Sequence, residues 1–423
     1  MAVVRPFRAI TFSLEAGPDV STRVAPPYDV VSASQRAALL ERDPRDIIAI
    51  DLPAGGEDRY ERAAATWHEW RKAGVLVDDR TPAFYVLEQR FTFRHQSIRR
   101  RALIAAVDLE PFDAGVVLPH ERTLPKALDD RLALLRATAA NLSQVFGLYS
   151  DPAGVTDDLL KPVRADAPLL TATDTEGVES RVWAIRDNHR RQALTDALSD
   201  SRIFIADGHH RYTTALTYRD ERRASDGHEP WQPYDATMMA LVNMDDPDLV
   251  VLPTHRVADA AGPFDTEAFL DSLRGRFDLT PAPDDFLVPL RDLAGEPRFI
   301  VALRDGRRYL AHLHEGVDLA TEVPGDASDA WKSLDVAVLQ ELVLWPLLGI
   351  HPDHPETLER LSFVKGAEDA LAGSGAHDVT FLLRSTRMDQ LRAVSLAGEL
   401  MPQKSTYFYP KLLSGLVMRD LAV

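Results

Sequence analysis

No cysteine occurs among the 423 residues of the chain. Its absence excludes a disulfide framework, a thiolate nucleophile and any Cys-ligated zinc or iron–sulfur centre. Positive charge is scarce as well: 48 Lys and Arg stand against 65 Asp and Glu, a formal net charge of -17. A surface of that sign repels polyanions, which disfavours broad nucleic-acid binding. Long apolar runs are also missing. The most apolar stretch, Leu334 to Ile350, is interrupted by Asp335, Gln340 and Glu341, and falls short of the roughly 20 apolar residues that a membrane span requires. The first residues carry Arg5, Pro6, Arg8, Ser13 and Glu15 and lack the apolar centre of a signal peptide. The expectation is a cytoplasmic chain with no membrane partner and no nucleic acid.

What is present is the composition of a globular enzyme, 45% hydrophobic and 27% charged. Strand-like and helix-like segments alternate, the pattern of a mixed α/β (α+β) fold. Val3 to Phe12 reads as a strand, and Ala25-Pro26-Pro27-Tyr28-Asp29-Val30 as a rigid extended turn, because proline fixes φ. Ser32 is placed to cap a helix over Ala33 to Glu41. The apolar run Ile47 to Leu52 reads as a buried strand and Asp58 to Ala73 as an amphipathic helix. Phe84 to Phe93 and Ser97 to Leu109 form a predicted hairpin. A long loop, Glu110 to Asp130, then leads to a helix over Arg131 to Asn141 and a strand over Gln144 to Tyr149. Thr280 to Pro289 reads as a flexible connection, Pro297 to Leu313 as a hairpin, and a terminal helix closes the chain. Three regions are expected, 1–150, 151–280 and 281–423, with no internal repeat.

The sharpest motif is Ile205-Ala206-Asp207-Gly208-His209-His210-Arg211-Tyr212. The run Ser201 to Ala206 is β-like, and helical spacing begins directly after the glycine. A glycine there lets backbone approach a ligand, and the following helix turns its positive dipole end towards it. Gly208, His209, His210 and Arg211 are thus candidate phosphate-binding residues, and a carboxylate beside phosphates, Asp207, makes sense as a ligand of Mg²⁺. A capped helix with solvated histidines is the bland reading of the same residues. Neighbouring helical histidines point about 100° apart, so zinc on the pair is a minor alternative.

Leu118-Pro119-His120-Glu121-Arg122-Thr123-Leu124-Pro125-Lys126 is the second motif. His120 or Glu121 could act as a general base and Lys126 could neutralise a transferring phosphoryl group; a solvated charged turn is the alternative. The third is Met401-Pro402-Gln403-Lys404-Ser405-Thr406-Tyr407-Phe408-Tyr409-Pro410-Lys411. Lys404 and Ser405 resemble a phosphate or carboxylate clamp without a Gly-rich loop, against rings that simply pack on a core. Pro253-Thr254-His255-Arg256 is a fourth polar cluster, and His255, Arg256 and Tyr407 are the candidate substrate-binding residues.

Together with Arg5-Pro6-Phe7-Arg8, the Ala25 to Val30 turn and Arg131, these motifs resemble, in order and over nearly the whole chain, the prokaryotic domain of unknown function numbered one thousand and fifteen. The Asp-Gly-His-His-Arg turn is also similar to the phosphate-binding element of the ParB and sulfiredoxin superfamily, which includes a nucleotide-dependent free-serine kinase. That resemblance implies a ParB/sulfiredoxin-like nucleotide-binding core with large additional α/β regions, and a nucleoside di- or triphosphate, ATP or ADP, held with Mg²⁺ on Gly208 to Arg211. It also implies a kinase acting on a hydroxyl of serine or a related hydroxy acid. Sulfiredoxin chemistry needs a cysteine in the turn, where this chain has histidine, so that branch is excluded. Two other classes remain open: a ParB-like nucleotide-gated binding protein without turnover, and a metal-dependent hydrolase using His120, Glu121, His209, His210 and His255.

Overall fold

Phe84–Phe93 and Gln96–Asp108 pair antiparallel in the predicted hairpin. Arg94 and His95 close it at φ 50° and 64°, the left-handed pair whose twist matches that of the strands in a two-residue turn. Around this hairpin the computed structural model, which describes every residue except 16, 162–165, 228–229, 284 and 423, forms two units. Unit 1 comprises Met1–Pro119, Thr123–Leu249 and Pro410–Val423, and unit 2 comprises His120–Arg122 and Val250–Tyr409.

Unit 1 runs through β1 (Val4–Arg5), β2 (Ile10–Phe12), α1 (Ala33–Arg42), α2 (Ile48–Asp51), α3 (Arg59–Lys72), β3 (Leu76–Asp78), the hairpin strands β4 and β5, β6 (Val117–Leu118) and α4 (Pro125–Thr138). It continues with β7 (Ala140–Asn141), β8 (Val145–Tyr149), α5 (Val155–Leu160), β9 (Leu170–Thr173), β10 (Glu179–Ile185), α6 (Asn188–Leu198), β11 (Ile203–Asp207), α7 (His209–Asp226) and β12 (Ala236–Asn243). Its nine-stranded sheet has the order β6-β11-β8-β12-β5-β4-β10-β9, with β1 beside β5. The sheet is mixed: β11 is parallel to β6 and antiparallel to β8, and β8 is parallel to β12. The chain therefore has the mixed α/β fold expected of it. Alternate strand residues such as Leu103, Ala105, Ile203, Ile205 and Leu241 share one buried cluster with Leu194 and Leu198 of α6 and Tyr212 and Ala215 of α7. Each fully buried aliphatic side chain in such a face contributes about 1.5–3 kcal/mol, which fixes where α7 begins relative to the end of β11.

Unit 2 is built on a six-stranded sheet. The strands of the unit are β13 (Val250–Leu252), β14 (His255–Ala258), β15 (Phe277–Pro281), β16 (Arg298–Leu303), β17 (Arg308–Leu313), β18 (Leu361–Val364), β19 (Val379–Leu383) and β20 (Tyr407–Tyr409). The sheet order is β15-β17-β16-β19-β14-β18, all antiparallel, while β13 pairs with β20 separately.

Several local expectations are corrected. The strand predicted from Val3 to Phe12 breaks into β1 and β2, since Pro6 between them has no N–H for the ladder. Ile47 to Leu52 is helical: α2 starts where Asp46 Oδ1 accepts the Ile48 N–H at 2.9 Å, and a short apolar run does not itself distinguish strand from helix. The helix expected at Arg131 begins at Pro125, a position where the missing N–H costs nothing. Thr280 to Pro289 is part strand, to Pro281, and part helix, from Val288, with residue 284 outside the described residues. The last helix, Met388–Leu396, does not end the chain; Arg419–Asp420 pairs with β7 in unit 1. Ser32 caps α1 as predicted, accepting from the Gln35 N–H in a reciprocal capping box. Among the described residues no helix is long and apolar enough to cross a membrane.

Candidate anion site at a strand–helix turn

The apolar residues of β11 carry the chain into the sheet of unit 1, and its register against β8 shifts between Ile205 and Asp207. Gly208 follows at φ 90°, ψ 29°, the left-handed region that a side chain disfavours. It is needed for a second reason: a Cβ there would lie 3.0 Å from Nε and Nη2 of Arg211. The guanidinium thus lies across the turn only because residue 208 has no side chain. From here α7 runs 18 residues, His209–Asp226, and presents the positive end of its dipole at the turn.

Arg211 is held by one edge. Its Nη1 donates to Ser143 Oγ at 3.0 Å and to the Gln144 carbonyl, whereas its Nε is buried with no hydrogen-bond partner among the described residues. Asp207 lies beside it, accepting from Lys411 Nζ at 2.7 Å and from the Gly208 N–H at 2.8 Å. Burial opposes the charge on Asp207, but Lys411, Arg211 and His209 outweigh it and hold the carboxyl well below the usual range. The backbone around Lys411 is pinned on both sides: Arg100 donates to the Pro410 carbonyl at 2.5 Å and Gln89 Nε2 to the Lys411 carbonyl at 3.1 Å. Arg100 is fully buried over the ring of Phe146 at 4.7 Å, and burial pulls its pKa down to about 9 against the pull of Asp207.

The two histidines of the turn have separate settings. His209 is buried. His210 Nε2 accepts the N–H of Leu124 at 2.9 Å, and Leu124 is the N-cap residue of α4 with no side-chain cap of its own. The imidazole thus satisfies one of the donors that every helix start leaves over, and its donor edge is Nδ1. Lys126, expected to meet a phosphoryl group, stands exposed in the first turn of α4. Tyr212 locks α7 further in, giving its O–H to the Glu110 carbonyl at 2.9 Å and accepting the Glu110 N–H at 3.0 Å.

The other predicted site residues lie in unit 2. His120 is buried, with Nε2 3.0 Å from Thr406 Oγ1, and its carbonyl accepts the Met401 N–H at 2.8 Å. Glu121 accepts the N–H of Lys404 at 3.3 Å, Lys404 itself having φ 56°. Ser405 is buried and donates to the Pro402 carbonyl. Arg256 gives Nη2 to the Gln403 carbonyl at 2.8 Å and Nη1 to the Thr254 carbonyl, under the ring of Phe363; burial pulls its pKa down to about 9 although Glu121 resists. His255 Nδ1 accepts the Leu383 N–H at 3.1 Å, and burial, then Arg256, push its pKa down to about 4. Tyr407 Oη accepts from Lys365 Nζ at 2.9 Å.

Ser143, Gln144 and Arg100 were not foreseen. Ser143 and Gln144 follow α4 without any distinguishing pattern. Arg100 could have been found, since the period-two face of its strand also carries Ala102 and Ile104, both buried, and a cation on an apolar face requires a built partner.

Among the described residues no group of three or more His, Cys, Asp or Glu is placed to hold a metal ion, and both oxygens of Asp207 are engaged. Solved structures with related features include a conserved hypothetical protein from Pyrococcus furiosus (12% identity, TM-score 0.34, covering 74% of this chain and 94% of that one). A free serine kinase in complex with AMP gives 13% identity and TM-score 0.34, over 74% of this chain and 90% of that one. SbnI with a C-terminal truncation, from Staphylococcus aureus, gives 11% and 0.35, over 74% and 85%. No curated protein matches the chain. A family model does match, over residues 4–337, and the chain belongs to that family, described as Protein of unknown function (DUF1015).

Proposed function

We propose that the turn Asp207 to Arg211 binds the phosphates of a nucleoside di- or triphosphate, ATP or ADP, and that the chain transfers a phosphoryl group from it to a hydroxyl of a small metabolite. Serine or a related hydroxy acid is the first acceptor to try. The observation that carries this reading is the state of Arg211: one edge is clamped by Ser143 and Gln144, while Nε is buried and unpartnered among the described residues, beside a glycine that starts an 18-residue helix. A buried donor without a partner costs about 1–3 kcal/mol, and an anionic oxygen at the turn would relieve that cost. Guanidinium, helix dipole and close backbone together suit phosphate. Phosphoryl transfer asks of a protein mainly positioning and neutralisation of charge.

The chain's own donors do not fit a resident magnesium ion, since Asp207 is already committed to Lys411 and Gly208. Magnesium would arrive on the nucleotide phosphates. Calorimetry with ATP and ADP tests the reading. Binding to the wild type that weakens by at least about tenfold in Arg211→Ala supports it, and no heat with either nucleotide sinks it. Nucleotide binding with no turnover against any hydroxy acid would replace the transferase by a nucleotide-gated binding protein.

A further inference from the structure

Unit 1 contains a cavity of about 50 Å³ whose lining includes Asp51, Arg131, Asn141, Ser143, Arg211 and Thr214. One water needs about 10–15 Å³, so the space suits several waters or the head group of a small solute. Its charged walls are already fixed. Arg131 gives Nη1 to Asp51 at 3.3 Å and Nε to Asp130, which is outside the lining, at 2.9 Å, and it lies 3.9 Å over the ring of Tyr28. The Pro26-Pro27 turn thereby acquires a purpose, because it delivers Tyr28 under this guanidinium. Burial pushes the phenol of Tyr28 up to about 12, so the ring is neutral.

The remaining lining is rich in donors. Thr214 is 3% exposed and its hydroxyl has no hydrogen-bond partner among the described residues. Ser143 Oγ accepts from Arg211, which leaves its own O–H to give. Asn141 Oδ1 accepts the Met238 N–H at 3.0 Å, which leaves the Nδ2 branch of the amide as a donor. The carboxylate of the lining is committed: Asp51 Oδ1 takes Arg131 and Oδ2 takes the Ser414 hydroxyl at 2.7 Å. A ligand that brings acceptors therefore suits the donors that remain. Arg131 is paired with Asp51 and Asp130, and Asp207 with Lys411, so Arg211 is the cation left to meet a ligand, and its planar fork suits a single carboxylate.

We propose that this cavity binds the carboxylate of a small carboxylic acid. Arg211 belongs both to the cavity and to the turn, so the acid bound there is the phosphoryl acceptor; that last step rests on the function proposed above, whereas the carboxylate site does not. Ligand-observed NMR on the full chain tests it, with glycolate, L-lactate and L-serine as probes and ethylene glycol and serinamide as uncharged controls. The acids should bind and the controls should not. Thr214→Val, which keeps the shape and removes the hydroxyl, should weaken the acids about tenfold, the worth of one hydrogen bond to a charged group. Asn141→Asp preserves the acceptor for Met238 and places a negative charge on the donor branch, so it should abolish acid binding. Both variants should bind ADP as the wild type does, which also reports that they are folded. Acids that bind no better than the controls overturn the site, as do variants that bind acids like the wild type; a variant that fails to fold leaves the wild-type comparison to decide. Acid binding in a chain that ignores ADP would keep the carboxylate site and defeat the nucleotide reading.

Discussion

The turn of unit 1 and the His-Glu segment of unit 2 are both dense in polar residues, but they differ in how far those residues satisfy one another. In unit 2 the groups are mutually engaged. Arg256 spends donors on two backbone carbonyls, Glu121 takes the Lys404 N–H, Ser405 returns to Pro402, and His255 accepts from Leu383. In unit 1 the scaffold is equally well tied, by Lys411 to Asp207 and by Ser143 to Arg211, yet Nε of Arg211 and the hydroxyl of Thr214 have no partner among the described residues. Since buried polar groups are nearly always paired, an unspent donor says more about ligand binding than a high density of charge does.

The largest effect that would sharpen this contrast is electrostatic. Lys411→Met removes the partner of Asp207, and stranding a carboxylate in a largely desolvated place should lower the unfolding free energy by about 3 kcal/mol. Lys404→Met, at an exposed position, should change it by less than about 0.5 kcal/mol; equal losses in urea titrations would erase the distinction. Next comes pH. His255 has a folded-state pKa near 4 against an ordinary 6.5. Between those values the unfolded chain holds a proton that the folded chain refuses. Its contribution is therefore complete above pH 6.5 and is lost as pH falls towards 4, about 3 kcal/mol in total. His255→Gln should remove that part of the slope of stability against pH; an unchanged slope would mean that the imidazole is not held neutral.

A smaller effect separates the two arginines. Arg211→Lys keeps charge but loses the fork, and should weaken ADP by about 10- to 100-fold, whereas Arg256→Lys should leave ADP affinity untouched and cost stability only. A loss of affinity in both would break the contrast. Ser32→Ala sets the lower end of the scale: the capping box of α1 should be worth about 1 kcal/mol in unfolding free energy, with no change in any binding.

Much of the turn was legible because its signals are local. A β-branched run, a glycine and a helical repeat within a dozen residues already specify strand, left-handed residue and helix, as β11, Gly208 and α7 show. The start of α4 was misplaced because Asp129-Asp130-Arg131 looks like a helix opening, while the actual cap is supplied by His210 from 86 residues away. The same non-local logic hides Ser143, Asn141 and Thr214. Nothing in their neighbours marks them, and their role comes only from which donors tertiary packing leaves unused. Arg100 lies between these cases, since its strand face announces a buried cation but not that Pro410 receives it.

The order in which the chain is made bears on Lys411. Unit 1 is discontinuous: the segment Pro410–Val423 joins it only after the whole of Val250–Tyr409 has been passed. A ribosome therefore completes β11, Gly208 and α7 about 200 residues before it supplies the ammonium that compensates Asp207. During that interval Asp207 lacks its ion-pair partner and keeps Arg211 and His209 as the positive groups beside it. The ion pair of the turn is thus completed only when the far end of the polypeptide docks.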